Sequence, residues 1–255
     1  MTTLYTKLKD LLKKKGAGFF VLLDPDKQPV EDIVSMAETC QANGVDGLLM
    51  GGSLLFSAVL DDMVKAIKQK VSIPVILFPG NGGQLSKHAD AVLFLSLISG
   101  RNPHYLIGEQ VLAAPLVRAM GLEPISTGYM LVESGGSTSV EFMSHTMPLP
   151  RSKPDIAVAH ALAGEYLGMK LIYLEAGSGA RLSVPEELIT SVRQAITIPL
   201  IVGGGIQTPE EARSKVMAGA SFVVTGDIIE RKGNEGLIKE FSEAIHSTKK
   251  PKESS

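Results

Sequence analysis

The sequence has one cysteine, Cys40, so no internal disulfide can form. That excludes the small disulfide-stapled secreted scaffolds and favours a reduced, cytoplasmic setting. Neither sign of charge dominates: 25 basic residues stand against 27 acidic ones, for a net charge of −2. Bulk attraction to nucleic acid or to an acidic membrane is therefore not indicated, and a bound anion needs local donors. No apolar run is long enough to span a bilayer. The opening stretch, "MTTLYTKLKDLLKKKG", is amphipathic and lysine-bearing and lacks the apolar core of a signal peptide. The five histidines show no metal-binding spacing, so a zinc site is not expected. No G-x-G-x-x-G follows the first apolar run, which weighs against a doubly wound dinucleotide-binding sheet.

What is present is regular alternation. Eight β-rich runs, "GFFVLL" (18–23), "VDGLLM" (45–50), "PVILF" (74–78), "ADAVLFL" (89–95), "EPISTGYMLV" (123–132), "KLIYLE" (170–175), "PLIVG" (199–203) and "SFVVTG" (221–226), are apolar on both faces. Strands of a parallel sheet covered on both sides read this way. Helical patterns separate most of them, several ending on glycine and two opening on Pro-Glu-Glu. Eight such units in 255 residues predict an α/β fold, a single (β/α)8 TIM-barrel domain over 1–255. Residues 1–16 form an N-terminal helix ahead of it, and 248–255 a polar tail that frays. Between the third and fourth strands only "PGNGGQLSKHA" is available, at the lower limit for a crossover helix, so helix 3 is expected to be reduced or missing.

Ligands of this barrel sit at the C-terminal ends of the strands, phosphates most often after strands seven and eight. Strand seven ends in Gly203, Gly204 and Gly205, strand eight in Gly226 and Asp227, and strand six in "AGSGA", with Ser178 as a further donor. Glycines let backbone amides approach an anion, so three such loops together point to one phosphate monoester. Taken singly, each is equally a tight turn. Asp24 is the first polar residue after strand one, and Ser53 lies at the end of strand two. One carboxylate and one hydroxyl suit Mg2+ completed by a substrate polyphosphate; a turn aspartate is the plain alternative. Lys27 reads as a solvated loop lysine.

In chain order, "LLDPDK", "GGS", "FPGN", "RNPHYLIGEQ", "EPISTGYMLVE", "GMKLIYLEAGSGA", "VGGGI" and "VTGD" resemble the geranylgeranylglyceryl phosphate synthases and their bacterial heptaprenylglyceryl relatives. The resemblance runs from strand one to strand eight. It implies a barrel without a regular third helix and Mg2+-dependent prenyl transfer. The prenyl group, geranylgeranyl first among candidates, passes from its diphosphate to the C3 hydroxyl of sn-glycerol 1-phosphate. Asp24 and Ser53 are the implied metal positions. Tyr173, Leu174, Glu175, Ala176, Gly177, Ser178 and Gly179 resemble the glycerol phosphate loop, completed by Gly204, Gly205, Gly226 and Asp227. Glu175 and Tyr173 are the implied catalytic pair: Glu175 accepts the hydroxyl proton or a hydrogen bond from it, and Tyr173 orients the glycerol. Some relatives carry a lysine two residues before the strand-one aspartate; here that position is Leu22.

Further expectations concern partners and surfaces. A prenyl tail needs an apolar channel, for which Phe78, Leu97, Ile98 and Tyr129 are candidates. Residues 134–155 are polar and proline-bearing and read as a mobile loop or lid. "IGEQVLAAPLVRAMG" (107–121) is very apolar for an outer helix, as a homo-oligomer interface would be. A transient membrane contact is also envisaged, and no nucleic acid. Asp61 and Lys65 are spaced for a solvated i,i+4 ion pair. Three other functions compete: a flavin-dependent barrel oxidoreductase, a phosphosugar isomerase or aldolase, and a non-catalytic phosphate-binding module. Only Lys170 lies in the candidate strands, at the wrong end for a Schiff base, and the module would need neither Asp24 nor Glu175.

Overall fold

The computed structural model describes residues 2–52, 54–55, 59–230 and 235–247. Eight parallel strands close a barrel in chain order. They are β1 (Gly18–Leu23), β2 (Gly47–Met50), β3 (Val75–Leu77), β4 (Ala91–Leu97), β5 (Glu123–Leu131), β6 (Leu171–Glu175), β7 (Leu200–Gly203) and β8 (Phe222–Thr225), and β8 pairs back with β1. All eight runs expected from the sequence are strands, most of them trimmed by one or two residues, while β4 lies two residues later than expected. Alternate side chains divide into two layers. Val21, Leu48, Val75, Ile172, Leu174, Val202 and Val223 pack outward under the helices. Phe20, Leu49, Ile76, Leu93, Ile125, Ile201 and Phe222 fill the barrel. Each such fully buried side chain contributes about 1.5–3 kcal/mol.

The N-terminal face is sealed. Phe20 and Phe222 stack with ring centroids 4.7 Å apart. A Cβ at Gly18 would lie 2.6 Å from the Phe222 ring, so the first residue of β1 is glycine to admit it. Helix α1 (Leu4–Lys15) lies over these rings through Leu4 and Leu8. Its orphan first-turn amides are satisfied by Glu123, whose carboxylate accepts from Leu4 N at 2.5 Å and Tyr5 N at 3.0 Å. With this floor closed, the open mouth is at the strand C-termini.

Outer helices α2 (Val30–Ala42), α3 (Leu60–Lys68), α4 (Glu109–Met120), α6 (Pro154–Tyr166), α7 (Glu186–Ala195), α8 (Pro209–Ala218) and α10 (Glu235–His246) surround the barrel, while α5 (Ser139–Ser144) and α9 (Asp227–Glu230) are short pieces at its mouth. Residues 78–90 carry no helix, as the short β3–β4 connection predicted. That connection is held by Gly82 N donating to Glu109 Oε2 at 2.5 Å and Gly80 N donating to Gln84 Oε1 at 2.9 Å. A notch remains in the helical ring beside α4, which begins in a π-helical turn, His104–Gly108.

Two expectations are corrected. The 134–155 segment is not simply a loop: Thr138 caps α5, and Val132 bridges to Leu149. Asp61 does not pair with Lys65. It accepts from Ser86 Oγ at 2.7 Å and faces His88 Nε2 at 3.7 Å, because the helix-free connection packs over α3. Among the described residues, no helix is long and apolar enough to cross a membrane.

Candidate active site

The strand ends converge on a cavity of about 480 Å3 at the open mouth. Its polar side is built from the ends of β1, β6, β7 and β8, and its apolar side from Phe78, Tyr129 and the notch beside α4. Strand register decides which residues reach it. Tyr129, Tyr173 and Ile201 are level across β5, β6 and β7, and Leu131, Glu175 and Gly203 form the next level toward the mouth. Alternation therefore turns Tyr173 and Glu175 inward and Leu174 outward.

Glu175 is only 5% exposed. Its Oε1 accepts from Gly177 N at 2.6 Å. Burial pushes its pKa up to about 7; the Gly177 amide and the adjacent Tyr173 hydroxyl oppose this less strongly, and the charge of Asp227 adds to it. The glycines of β7 exist to make room for this acid. A Cβ at Gly203 would sit 2.6 Å from the Tyr173 hydroxyl and 3.1 Å from Glu175 Oε2. One at Gly204, where φ is +81°, would overlap Glu175 Oε1 and come within 2.6 Å of the Gly177 amide nitrogen. Positive φ at both Gly204 and Gly205 is the second reason for glycine there.

Tyr173 closes the inner wall. Its ring stacks on Phe78 at 5.3 Å and meets Tyr129 edge-on at 5.4 Å. Burial first, and then the charge of Glu175, hold both phenols protonated far above neutral pH. Thr225 Oγ1 and the Tyr173 hydroxyl are buried; neither makes a hydrogen bond of good geometry among the described residues, although the hydroxyl lies beside Glu175. Both residues line the cavity. Polar atoms without a well-formed bond at that position are what a polar ligand satisfies.

The "AGSGA" loop is bare as expected, with φ of +103° at Gly177 and +69° at Gly179. Its donors meet Asp227: Oδ2 accepts from Ser178 Oγ at 3.0 Å and Gly179 N at 2.6 Å. Lys27 is not a solvated loop lysine. Its ammonium is bonded to Asp227 Oδ1 at 2.5 Å and Glu230 Oε2 at 2.7 Å. Burial alone would lower the Lys27 pKa, but the two carboxylates outweigh it and raise it. Asp227 is correspondingly lowered despite its burial, whereas burial raises Glu230.

Asp24 follows β1 at the same mouth. Its Oδ1 accepts from Asp26 N at 3.1 Å, and its backbone amide donates to Glu230 Oε1 at 2.8 Å. Both carboxylate oxygens face Gly52, where an added Cβ would lie 3.3 Å and 3.4 Å from them. Ser53 lies outside the described residues. Among the described residues no cluster of three or more His, Cys, Asp or Glu could hold a metal ion. Asp24, outside any such cluster, fits Mg2+ bound mainly through substrate oxygens, and does not fit a resident metal cage.

The sequence-derived positions largely come together. Asp24, Tyr173, Glu175, Gly177, Ser178, Gly179, Gly204, Gly205, Gly226 and Asp227 all line the cavity, with Phe78, Leu97 and Tyr129. Leu174 and Ala176 belong instead to the layer beneath the helices. Ile98 turns outward as well, its Cδ1 standing 2.8 Å from where a Cβ of Gly128 would be. The sequence reading missed Glu230, Thr225 and the α5 residues at the rim. Only Glu230 left a trace: three residues after Asp227 in "DIIE", it shares one helical face with it.

The sequence profile of the PcrB family matches residues 9–245. A curated geranylgeranylglyceryl phosphate synthase from Chitinophaga pinensis is 46% identical over 244 residues, 96% of either chain. One of the same name from Thermococcus gammatolerans is 48% identical over 235 residues, 92% of either chain. The crystal structure of (S)-3-O-geranylgeranylglyceryl phosphate synthase from Thermoplasma acidophilum, in complex with substrate sn-glycerol-1-phosphate, matches with a TM-score of 0.91 at 35% identity. That match covers 97% of this chain and 100% of the other. The chain belongs to the PcrB family.

Proposed function

We propose that the protein transfers the geranylgeranyl group from its diphosphate to the C3 hydroxyl of sn-glycerol 1-phosphate. The carrying observation is Glu175: one buried carboxylate between a glycine-lined donor loop and an apolar, aromatic-walled cavity. The glycerol oxygen attacks C1 of the prenyl chain, and a C–O ether bond forms. The bond from C1 to the diphosphate oxygen breaks, its electron pair leaving with diphosphate. The hydroxyl proton passes to Glu175, whose pKa near 7 suits a base at neutral pH. Tyr173 and Thr225 offer buried hydroxyls to the glycerol. Asp24 would hold Mg2+, which would supply counter-charge to the departing diphosphate when bound. Phe78, Leu97 and Tyr129 wall the prenyl chain toward the notch beside α4, and the apolar lining excludes water from C1. The assay is direct: incubate the protein with Mg2+, each glycerol phosphate enantiomer and prenyl diphosphates of graded length, and identify products by mass spectrometry. Absence of any prenylglyceryl phosphate would refute the reading.

The cradle makes a prediction of its own. Gly204→Ala places a methyl group against Glu175 Oε1 at a positive φ. It is expected to lower kcat by about 10-fold or more and to raise KM for glycerol phosphate, with KM for the prenyl diphosphate changed less than twofold. Equal loss toward both substrates would mean general damage to the barrel.

We also propose that the chain self-associates through α4 and acts in the cytoplasm, as its single buried cysteine favours. Ile107, in the turn before α4, and Val111, Leu112 and Leu116 on α4 are exposed, Leu112 by 67%. A self-complementary apolar patch is the usual basis of a two-fold interface. Light scattering should find a dimer or larger species for the native chain, and a smaller one for Val111→Glu with Leu112→Glu. A monomeric native chain would sink this part.

A further inference from the structure

Building on that reading, the geometry points to Asp227 as an internal stand-in for the substrate phosphate, and to Lys27 as the cation handed over when the phosphate arrives. The donors that make the β6 loop an anion cradle are already engaged. Ser178 Oγ and Gly179 N converge on one oxygen, Asp227 Oδ2, at 3.0 and 2.6 Å. The other oxygen of the same carboxylate holds Lys27. A carboxylate oxygen and a phosphate oxygen ask the same of an N–H or O–H donor, and both pair with an ammonium. Asp227 thus makes the contacts a phosphate would make.

The charge inventory shows why this matters. Among the described residues, Lys27 is the only basic one lining the cavity, against Asp24, Glu109, Glu175, Asp227 and Glu230. A dianionic phosphate entering beside these carboxylates, while Asp227 keeps both the loop donors and the cation, meets repulsion with little in return. If Asp227 turns away, the phosphate takes two donors and a counter-ion in one step. Glu230 is suited to hold the lysine through the exchange. Its Oε2 binds Lys27 Nζ at 2.7 Å, and its Oε1 is fixed by the Asp24 amide at 2.8 Å. The ammonium has three donors, so it can keep Glu230 while replacing Asp227 with phosphate.

Selectivity follows from the tether. A carboxylate held on the chain competes at a high effective concentration, roughly millimolar or above. Monovalent anions, which gain no more than Asp227 does, cannot displace it. A phosphate dianion with a glycerol arm reaching Glu175 can. Asp227 is then a specificity-determining residue and Lys27 a phosphate ligand.

The test compares the wild-type protein, Asp227→Ala, Asp227→Asn, Lys27→Met and the Lys27→Met/Asp227→Ala double variant. Calorimetry measures their affinity for inorganic phosphate, sn-glycerol 1-phosphate and inorganic diphosphate. Asp227→Ala should bind phosphate and glycerol phosphate about 10-fold tighter, and diphosphate within about twofold of wild type. Asp227→Asn keeps the shape and an acceptor but not the charge, and should gain in the same direction if the alanine variant is poorly folded. Lys27→Met should weaken both phosphates by about 10-fold, and most of the Asp227→Ala gain should vanish in the double variant. In steady state, Asp227→Ala should lower KM for glycerol phosphate and leave KM for prenyl diphosphate unchanged. Unchanged or weaker phosphate binding in both Asp227 variants overturns the proposal, since Asp227 would then be a structural link or a direct ligand. A gain confined to diphosphate also overturns it. A wild-type protein that makes no prenylglyceryl phosphate, yet shows the Asp227→Ala gain, would remove the prenyltransfer reading and leave the stand-in intact.

Discussion

Glu175→Gln is expected to lower kcat by about 10²–10⁴ while sn-glycerol 1-phosphate still binds through its phosphate. The substitution preserves size, and the amide oxygen can continue to accept from Gly177 N, so the tight turn at Gly177 and Gly179 keeps its anchor. What disappears is the basic oxygen that lies beside Gly203 and the Tyr173 hydroxyl. If diphosphate departs before the oxygen attacks, a strong base matters less, and the loss falls toward the lower end of that range. A variant that keeps its circular dichroism spectrum and retains wild-type kcat and KM would take Glu175 out of the mechanism.

The same residue sets a pH signature. Burial moves its pKa from 4.5 to about 7, so the acid is largely protonated, and unable to accept a proton, at pH 6 and below. In the free enzyme, kcat/KM for the glycerol substrate should rise with pH through about 7, and Glu175→Gln should flatten that limb. Stability runs the opposite way. A carboxyl whose folded pKa is raised contributes stability that is fully present below 4.5 and is lost as pH climbs through about 7. Between pH 5 and 8 the wild-type protein should therefore lose more thermal stability than Glu175→Gln does.

Much of this was legible because barrel strands declare themselves as runs apolar on both faces, and because the residue that ends each run marks the mouth. Asp24 and Glu175 were found that way, and the missing helix followed from counting residues between β3 and β4. Contacts made by groups far apart in sequence left no such mark. Lys27 reads as an ordinary loop lysine until β1 and β8 lie side by side and bring Asp227 and Glu230 to its ammonium. The α5 turn was hidden for another reason. Six residues are too few for a hydrophobic period, and its stability comes from the Thr138 cap and from packing at the rim of the cavity. Leu174 was carried into the phosphate loop by its place in a motif, whereas the two-residue period of β6 assigns its side chain to the outer layer.

Asp24→Asn is expected to reduce turnover by about 10³-fold or more and to leave the fold and the glycerol phosphate affinity intact. The fold should survive because Oδ1 of asparagine can accept from Asp26 N as Oδ1 of Asp24 does, and because the backbone amide bond to Glu230 needs no side chain. Glycerol phosphate binding should survive because the cradle proposed for it is formed by the β6, β7 and β8 loops and not by the Asp24 carboxylate. The charge is what the reaction loses. Diphosphate leaves with a growing negative charge into a cavity lined, among the described residues, by five carboxylates and one lysine that is already paired. A divalent cation held by Asp24 would offset that charge, and an amide would hold such a cation far less well. Three measurements separate this from a folding defect: calorimetric binding of sn-glycerol 1-phosphate, circular dichroism, and wild-type turnover in excess chelator with and without restored Mg2+. Chelated wild-type enzyme should fall to the level of Asp24→Asn and recover with Mg2+, while Asp24→Asn should gain little from added metal. Full wild-type activity in excess chelator would leave Asp24 as a turn residue whose carboxylate serves the Asp26 amide and nothing else.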